Sequence, residues 1–102
     1  MPTIVGYIRE HFLMTDNELA DARQNLVDFA RDHRYKLAAI FVERIETAPA
    51  AFQAMTEQLR KLDTPALVVP GCHHLAVLGN PLAIRQQLEE HGTKVLIARH
   101  AS

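Results

Sequence analysis

Ile4-Val5-Gly6-Tyr7-Ile8, followed at Thr15-Asp16-Asn17-Glu18 by the start of a helix, is the stretch on which the fold turns. A short apolar run rich in β-branched and aromatic residues reads as a buried strand when a helix signal follows it. Thr15 and Glu18 supply that signal as a Thr-x-x-Glu capping box, whose side chains satisfy amides that the first helical turn leaves unpaired. Leu19, Ala22, Leu26, Phe29 and Ala30 then fall on one face at helical spacing. The pattern predicts a helix from about Asp16 to His33.

The same strand-then-helix pattern recurs down the chain. Leu37 to Val42 is a second continuous apolar run, and its lack of alternation predicts a strand covered on both faces, as in a parallel sheet. Phe52, Met55, Leu59 and Leu62 repeat at steps of three and four after Pro49 and predict a second helix. Ala66-Leu67-Val68-Val69 is a third strand, ended by Pro70-Gly71. Asn80-Pro81 combines a cap with a proline at the first helical position, Leu82, Ile84 and Leu88 give an apolar face, and Gly92 suits the left-handed residue after a helix. Lys94 to Ala98 is the fourth strand.

This βαβαβαβ order predicts an α/β three-layer sandwich: a four-stranded, mainly parallel sheet with right-handed crossovers and helices on its faces. Ligands in such open sheets sit beyond the carboxyl ends of the strands. The loops after Ile8, Val42, Val69 and Ala98 are therefore where chemistry is expected.

Composition narrows the function. A chain of 102 residues with 48% hydrophobic residues suffices for one core, so a single domain over 1–102 is expected, with no repeat, linker or low-complexity segment. Eleven Lys and Arg against twelve Asp and Glu leave a net charge of -1, which removes the simplest electrostatic case for binding nucleic acid or an anionic membrane. Cys72 is the only cysteine, which excludes a disulfide framework. No signal peptide is visible and no apolar run approaches the roughly 20 residues needed to span a bilayer. A cytoplasmic protein without membrane attachment is expected.

Beyond these patterns, the chain resembles the catalytic domain of the serine recombinases, the resolvase and invertase family. Tyr7-Ile8-Arg9 matches that family's opening Tyr-x-Arg, and Gln24-Asn25-Leu26 stands where a glutamine and then a leucine occur in its first helix. Arg34-Tyr35-Lys36-Leu37, running into Phe41-Val42-Glu43, is similar to a Gly-Tyr segment that leads to a strand ending in an acid. Leu67-Val68-Val69, a loop and Leu75 resemble the third strand and the loop that carries an Asp-Arg-Leu-x-Arg motif. The resemblance covers nearly the whole chain and implies a resolvase-like fold with the flavodoxin-like strand order 2-1-3-4.

It also implies where the chemistry is missing. In that family a serine two residues after the motif arginine attacks a DNA phosphate, and clustered arginines neutralise the charge that develops. Here that position is His11, His74 and Val77 stand where two of the arginines would be, and Ala48-Pro49 takes the place of an Arg-Pro. Of the usual set, Arg9, Gln24 and Glu43 have counterparts. Without the serine no phosphoserine link to DNA forms, so a degenerate, catalytically inactive member is expected. Only residues 99–102 follow the last strand here, so neither the family's long dimer helix nor a separate DNA-binding domain is expected.

The substitutions bring their own chemistry. His11, Cys72, His73 and His74 come from loops at the expected active edge and are candidate metal ligands, with Glu43 or Glu46 as an added oxygen donor. Against this, His73 and His74 in a strand-like segment would point to opposite sides, and no Cys-x-x-Cys pair is present. A second candidate is acid-base or phosphoryl chemistry, with His11 as base or nucleophile and Arg9 as anion clamp, and with Gln24, Glu43 and His74 as the other candidate catalytic residues. Each histidine has a plainer reading as a solvated or backbone-bonded loop side chain, and His33, His91 and His100 need no role beyond proximity to helix ends.

Two functions follow from the sequence. The first is an interaction or regulatory module linked to DNA recombination, acting by self-association or through a protein partner, with Leu75-Ala76-Val77-Leu78 as the contact patch if that run is exposed. The second is a small enzyme, or a metal- or anion-binding protein, that uses His11, His73 and His74. Neither implies a cofactor. DNA binding through Arg9 and Arg44 is a weaker expectation, since it needs an assembly that concentrates positive charge on one face.

Overall fold

The structure is a computed structural model, and it describes residues 1–11, 13–77 and 79–98. Strand β1 (Thr3–Arg9) leads to helix α1 (Asp16–Asp32), and β2 (Lys36–Glu43) leads through a 3-10 turn (Ile45–Thr47) to α2 (Ala50–Arg60). Strand β3 (Ala66–Val69) is followed by a second 3-10 turn (Cys72–Leu75), by α3 (Pro81–Glu90) and by β4 (Lys94–Ile97). The four strands form one sheet in the order β2-β1-β3-β4, and every neighbouring pair is parallel. The expected α/β sandwich and strand order are those of the molecule.

Alternation along β1 sets the layers. Ile4 and Ile8 pack with Ala22, Leu26 and Ala30 of α1 on one face. Val5 and Tyr7 turn the other way and pack with Phe52, Met55 and Leu59 of α2 and Ile84 of α3. Gly6 lets α1 approach closely, because a Cβ there would lie 2.9 Å from the Leu26 Cδ1 and 3.2 Å from the Ile40 Cγ1.

The helix ends follow their local sequence. Thr15 Oγ1 accepts from the Glu18 amide at 3.1 Å, and Asn80 Oδ1 accepts from the Leu82 amide at 2.9 Å. Helices α1 and α3 close in the same way. After α1 the Arg34 amide donates to Arg31 O and the Tyr35 amide to Ala30 O; after α3 the Gly92 amide donates to Glu89 O and the Thr93 amide to Leu88 O. Both are Schellman motifs, which need a left-handed residue. Gly92 supplies it at φ 89°, whereas in α1 the non-glycine Arg34 is forced to φ 59°.

Three expectations need correction. β2 is flanked by both α1 and α2, but as the edge strand it is only half covered: Leu37, Ala39, Ile40, Phe41 and Val42 are half-buried and Ala38 is exposed. Ala38 is also the extra residue where the β1–β2 register shifts, since Ile4 pairs with Leu37 and Val5 with Ala39. His73 and His74 do not lie in a strand-like segment. They sit in the 3-10 turn, closed by the His74 amide on Gly71 O and the Ala76 amide on His73 O, and their rings are 4.5 Å apart. Lastly, Leu75 is fully buried and Val77 packs against the α2–α3 core, so those residues offer no exposed contact patch; Leu78 lies outside the described residues.

Among the described residues no helix is long and apolar enough to cross a membrane. His33 caps α1 and His91 caps α3, consistent with their places in the sequence, and His100 lies outside the described residues.

Candidate functional site

The carboxyl ends of β1, β2 and β3 lie side by side, because β1 is flanked by β2 and β3 in the sheet. This brings Arg9, Glu10 and His11 from β1 against Glu43 and Arg44 from β2 and the turn Cys72–Leu75 from β3.

His74 is the buried member of this edge, 5% exposed. Its Nδ1 accepts from the Arg9 backbone amide at 2.9 Å, across 65 positions of sequence. A nitrogen that accepts from an amide carries no proton, so the ring is neutral with its hydrogen on Nε2. Burial first, and then the nearby His73, His11 and Arg9, lower the pKa of His74 to about 4. Near neutrality the imidazole ties β1 to the turn after β3.

Glu43 is the second buried group, 1% exposed, and its oxygens are bonded to β1 and to the start of α2. The Tyr7 hydroxyl donates to Oε1 at 3.0 Å, the Phe52 amide to Oε1 at 2.8 Å and the Ala51 amide to Oε2 at 3.0 Å. Helix α2 follows Pro49, which makes no side-chain cap. The carboxylate of Glu43, brought from the end of β2, takes over that duty at the positive end of the helix. Tyr7 is held protonated, first by burial and then by its bond to Glu43 and the charge there. Its ring meets Phe52 edge-on at 5.7 Å and 81°.

The exposed residues complete the edge. Arg9, His11 and His73 are open to solvent, and Cys72 is half-buried at the start of its turn. Arg44 lies 3.8 Å from Glu10. Glu10, His11, Arg44, Ile45 and Glu46 line a depression of about 230 Å³, smaller than the roughly 300–1,000 Å³ of ordinary small-molecule sites. Gln24 is not part of the edge: it is exposed in the middle of α1 and donates to Asp28 Oδ1 at 2.9 Å. Among the described residues no three His, Cys, Asp or Glu side chains come together as a metal site. The one serine of the chain, Ser102, lies outside the described residues.

Sequence reading therefore located the edge and its histidines, and missed that Glu43 caps α2. The one signal for it was the absence of Ser, Thr, Asp or Asn at the start of a helix that begins after Pro49. It also missed a larger cleft of about 540 Å³ at the opposite end of the molecule, lined by Leu59, Arg60, Leu88, His91 and their neighbours near the ends of α2 and α3.

No protein-family model and no curated protein matches the sequence. Among solved structures, the chain is similar to the crystal structure of the C-terminal catalytic domain of ISC1926 TnpA, an IS607-like serine recombinase, with a TM-score of 0.71 and 14% identity over 98% of this chain and 71% of that one. The chain thus has the fold of a serine recombinase catalytic domain, with the parallel strand order 2-1-3-4.

Proposed function

We propose that this domain does not perform strand transfer and acts as an interaction or regulatory module connected with DNA recombination. One observation carries the reading: the position two residues after Arg9 holds His11, and the buried imidazole at the same edge, His74, is engaged as an acceptor for the Arg9 amide. A hydroxyl nucleophile is missing from the place where the resemblance puts one. Glu43 supports the same reading, because its oxygens are occupied by Tyr7, Ala51 and Phe52. An enzyme lacking both its nucleophile and the positive charges around it loses the groups that stabilise a phosphoryl transition state.

The test is intact-mass spectrometry of the purified chain after incubation with supercoiled plasmid and random-sequence duplex DNA, followed by denaturation. The proposal expects the mass of the free chain. A species carrying a covalently attached nucleotide or strand contradicts it. Sedimentation velocity over a concentration series then tells self-association from a monomer that meets a different partner.

A second reading, anion binding, is favoured by the placement of the exposed Arg9, His11 and His73 at the same carboxyl edge of the sheet, with the His73 ring 4.5 Å from that of His74. Titration with inorganic phosphate, followed by the ring resonances of His11 and His73, tests it. Saturable shifts support an anion site, and unchanged resonances remove it.

A further inference from the structure

Helices α2 and α3 cover the same face of the sheet, yet they stand apart on it. α2 packs chiefly on β1 and β2, α3 packs on β4 and on the turn Cys72–Leu75, and β3 runs between them. Near the ends of the two helices lies the cleft of about 540 Å³, and beside it a hollow of about 350 Å³ shares Thr56, Leu88 and His91 with it. Both are as large as ordinary small-molecule sites, roughly 300–1,000 Å³.

The two parts differ in chemistry. Phe52, Ile84 and Leu88 give the hollow an apolar lining suited to a hydrocarbon or aromatic group. The cleft adds Arg60, Asp63 and Thr93. Arg60 ends α2 and Asp63 follows it three positions on; both are exposed, and among the described residues neither is in an ion pair with the other or with a neighbour. Thr93 is only 6% exposed, and its hydroxyl is bonded to no described residue but is not sealed from solvent, so it opens on the cleft that it lines. The Thr56 hydroxyl, in contrast, is already engaged as a donor to Gln53 O at 2.8 Å. The negative ends of two helix dipoles, those of α2 and α3, lie at the same place.

That set of charges selects the occupant. A cation alone leaves Arg60 opposed, and an anion alone leaves Asp63 and the two helix ends opposed. A molecule with one charge of each sign on a carbon that also bears an apolar group meets all of them. A free α-amino acid with a large apolar side chain has that form.

We propose that the cleft between α2 and α3 binds a free α-amino acid with a large apolar side chain. Arg60 takes its carboxylate, Asp63 and the helix ends take its ammonium group, and the side chain enters the hollow between Phe52, Ile84 and Leu88. Thr93 supplies a hydrogen bond to the charged head. This goes beyond the interaction-module reading and does not depend on it.

The experiment titrates the full chain with L-phenylalanine and three relatives: phenethylamine, which lacks the carboxylate, 3-phenylpropionate, which lacks the ammonium group, and N-acetyl-L-phenylalanine amide, which lacks both charges. Amide NMR shifts measure affinity and locate the contact. L-Phenylalanine is expected to bind saturably with shifts centred on Leu59, Leu88 and Thr93, and each single-charge relative about fivefold more weakly, the upper end of what an exposed charge pair supplies. Arg60→Gln should abolish the advantage of L-phenylalanine over phenethylamine, and Asp63→Asn its advantage over 3-phenylpropionate; both positions are exposed, so the fold is retained. No saturable shift up to about 10 mM, shifts confined to His11 and His73, or equal affinity for any relative would overturn the proposal. Equal affinity for the amide in particular would replace the free amino acid with a polypeptide segment.

Discussion

The Arg9 amide donates to the His74 Nδ1 at 2.9 Å and so binds the end of β1 to the turn after β3. The bond has a direct consequence for pH. In the folded chain His74 is held to about 4, whereas an unfolded histidine titrates near 6.5. Between those values the unfolded state binds the extra proton, so stability is fully present above about pH 6.5 and falls as the pH drops toward 4. The loss is on the order of 2 to 3 kcal/mol. Urea unfolding of the wild type and His74→Ala at pH 7 and pH 4.5 checks this: the variant is less stable at pH 7 and shows a smaller decline on acidification. Parallel declines would contradict it.

Glu43 makes a different prediction because it holds a helix. Glu43→Ala leaves the Tyr7 hydroxyl and the Ala51 and Phe52 amides without their acceptor, and the expected cost is about 3 to 5 kcal/mol. Glu43→Gln keeps one acceptor oxygen and should cost about 1 to 2 kcal/mol. Tyr7→Phe removes a single donor and should fall near the smaller value. Denaturant midpoints give all three, and a Glu43→Ala chain as stable as the wild type would remove Glu43 from its structural role.

The two Schellman motifs predict opposite responses to complementary changes. Arg34 carries φ 59° where Gly92 carries φ 89°. Arg34→Gly relieves the left-handed strain of a side chain, offset by glycine's added unfolded-state entropy, and should raise stability by about 0.5 to 1 kcal/mol. Gly92→Ala should lower it by about 1 kcal/mol. Thermal melts read both as shifts of several degrees in opposite directions.

Much of the fold was legible because its elements announce themselves locally. The β-branched runs at Ile4 to Ile8 and Ala66 to Val69 became buried strands, and the stripe of Leu19, Ala22, Leu26 and Ala30 became the inner face of α1. Thr15 and Asn80 marked their helix starts, as caps do when the side chain satisfies an amide two or three residues on. The tertiary choices were hidden. An apolar run such as Leu37 to Val42 reads the same whether its outer edge is paired or open, and the extra residue at Ala38 follows from its register against β1. Likewise, His73-His74 had no local mark of a 3-10 turn, and the capping of Ala51 and Phe52 by Glu43 spans two elements that meet only in the folded chain. The candidate edge was therefore located from the order of elements, while the division of its residues into exposed and structural ones required the packing.

The most direct test of the account is a pH titration of the histidine ring nitrogens by NMR in the folded protein, with His74 assigned through His74→Gln. The expected result is a His74 ring with Nδ1 unprotonated and Nε2 protonated, titrating near pH 4, beside exposed rings of His11 and His73. A His74 that titrates near 6.5 or above, with its proton on Nδ1, would contradict it, because the edge would then hold a buried imidazole free for acid-base chemistry at neutral pH.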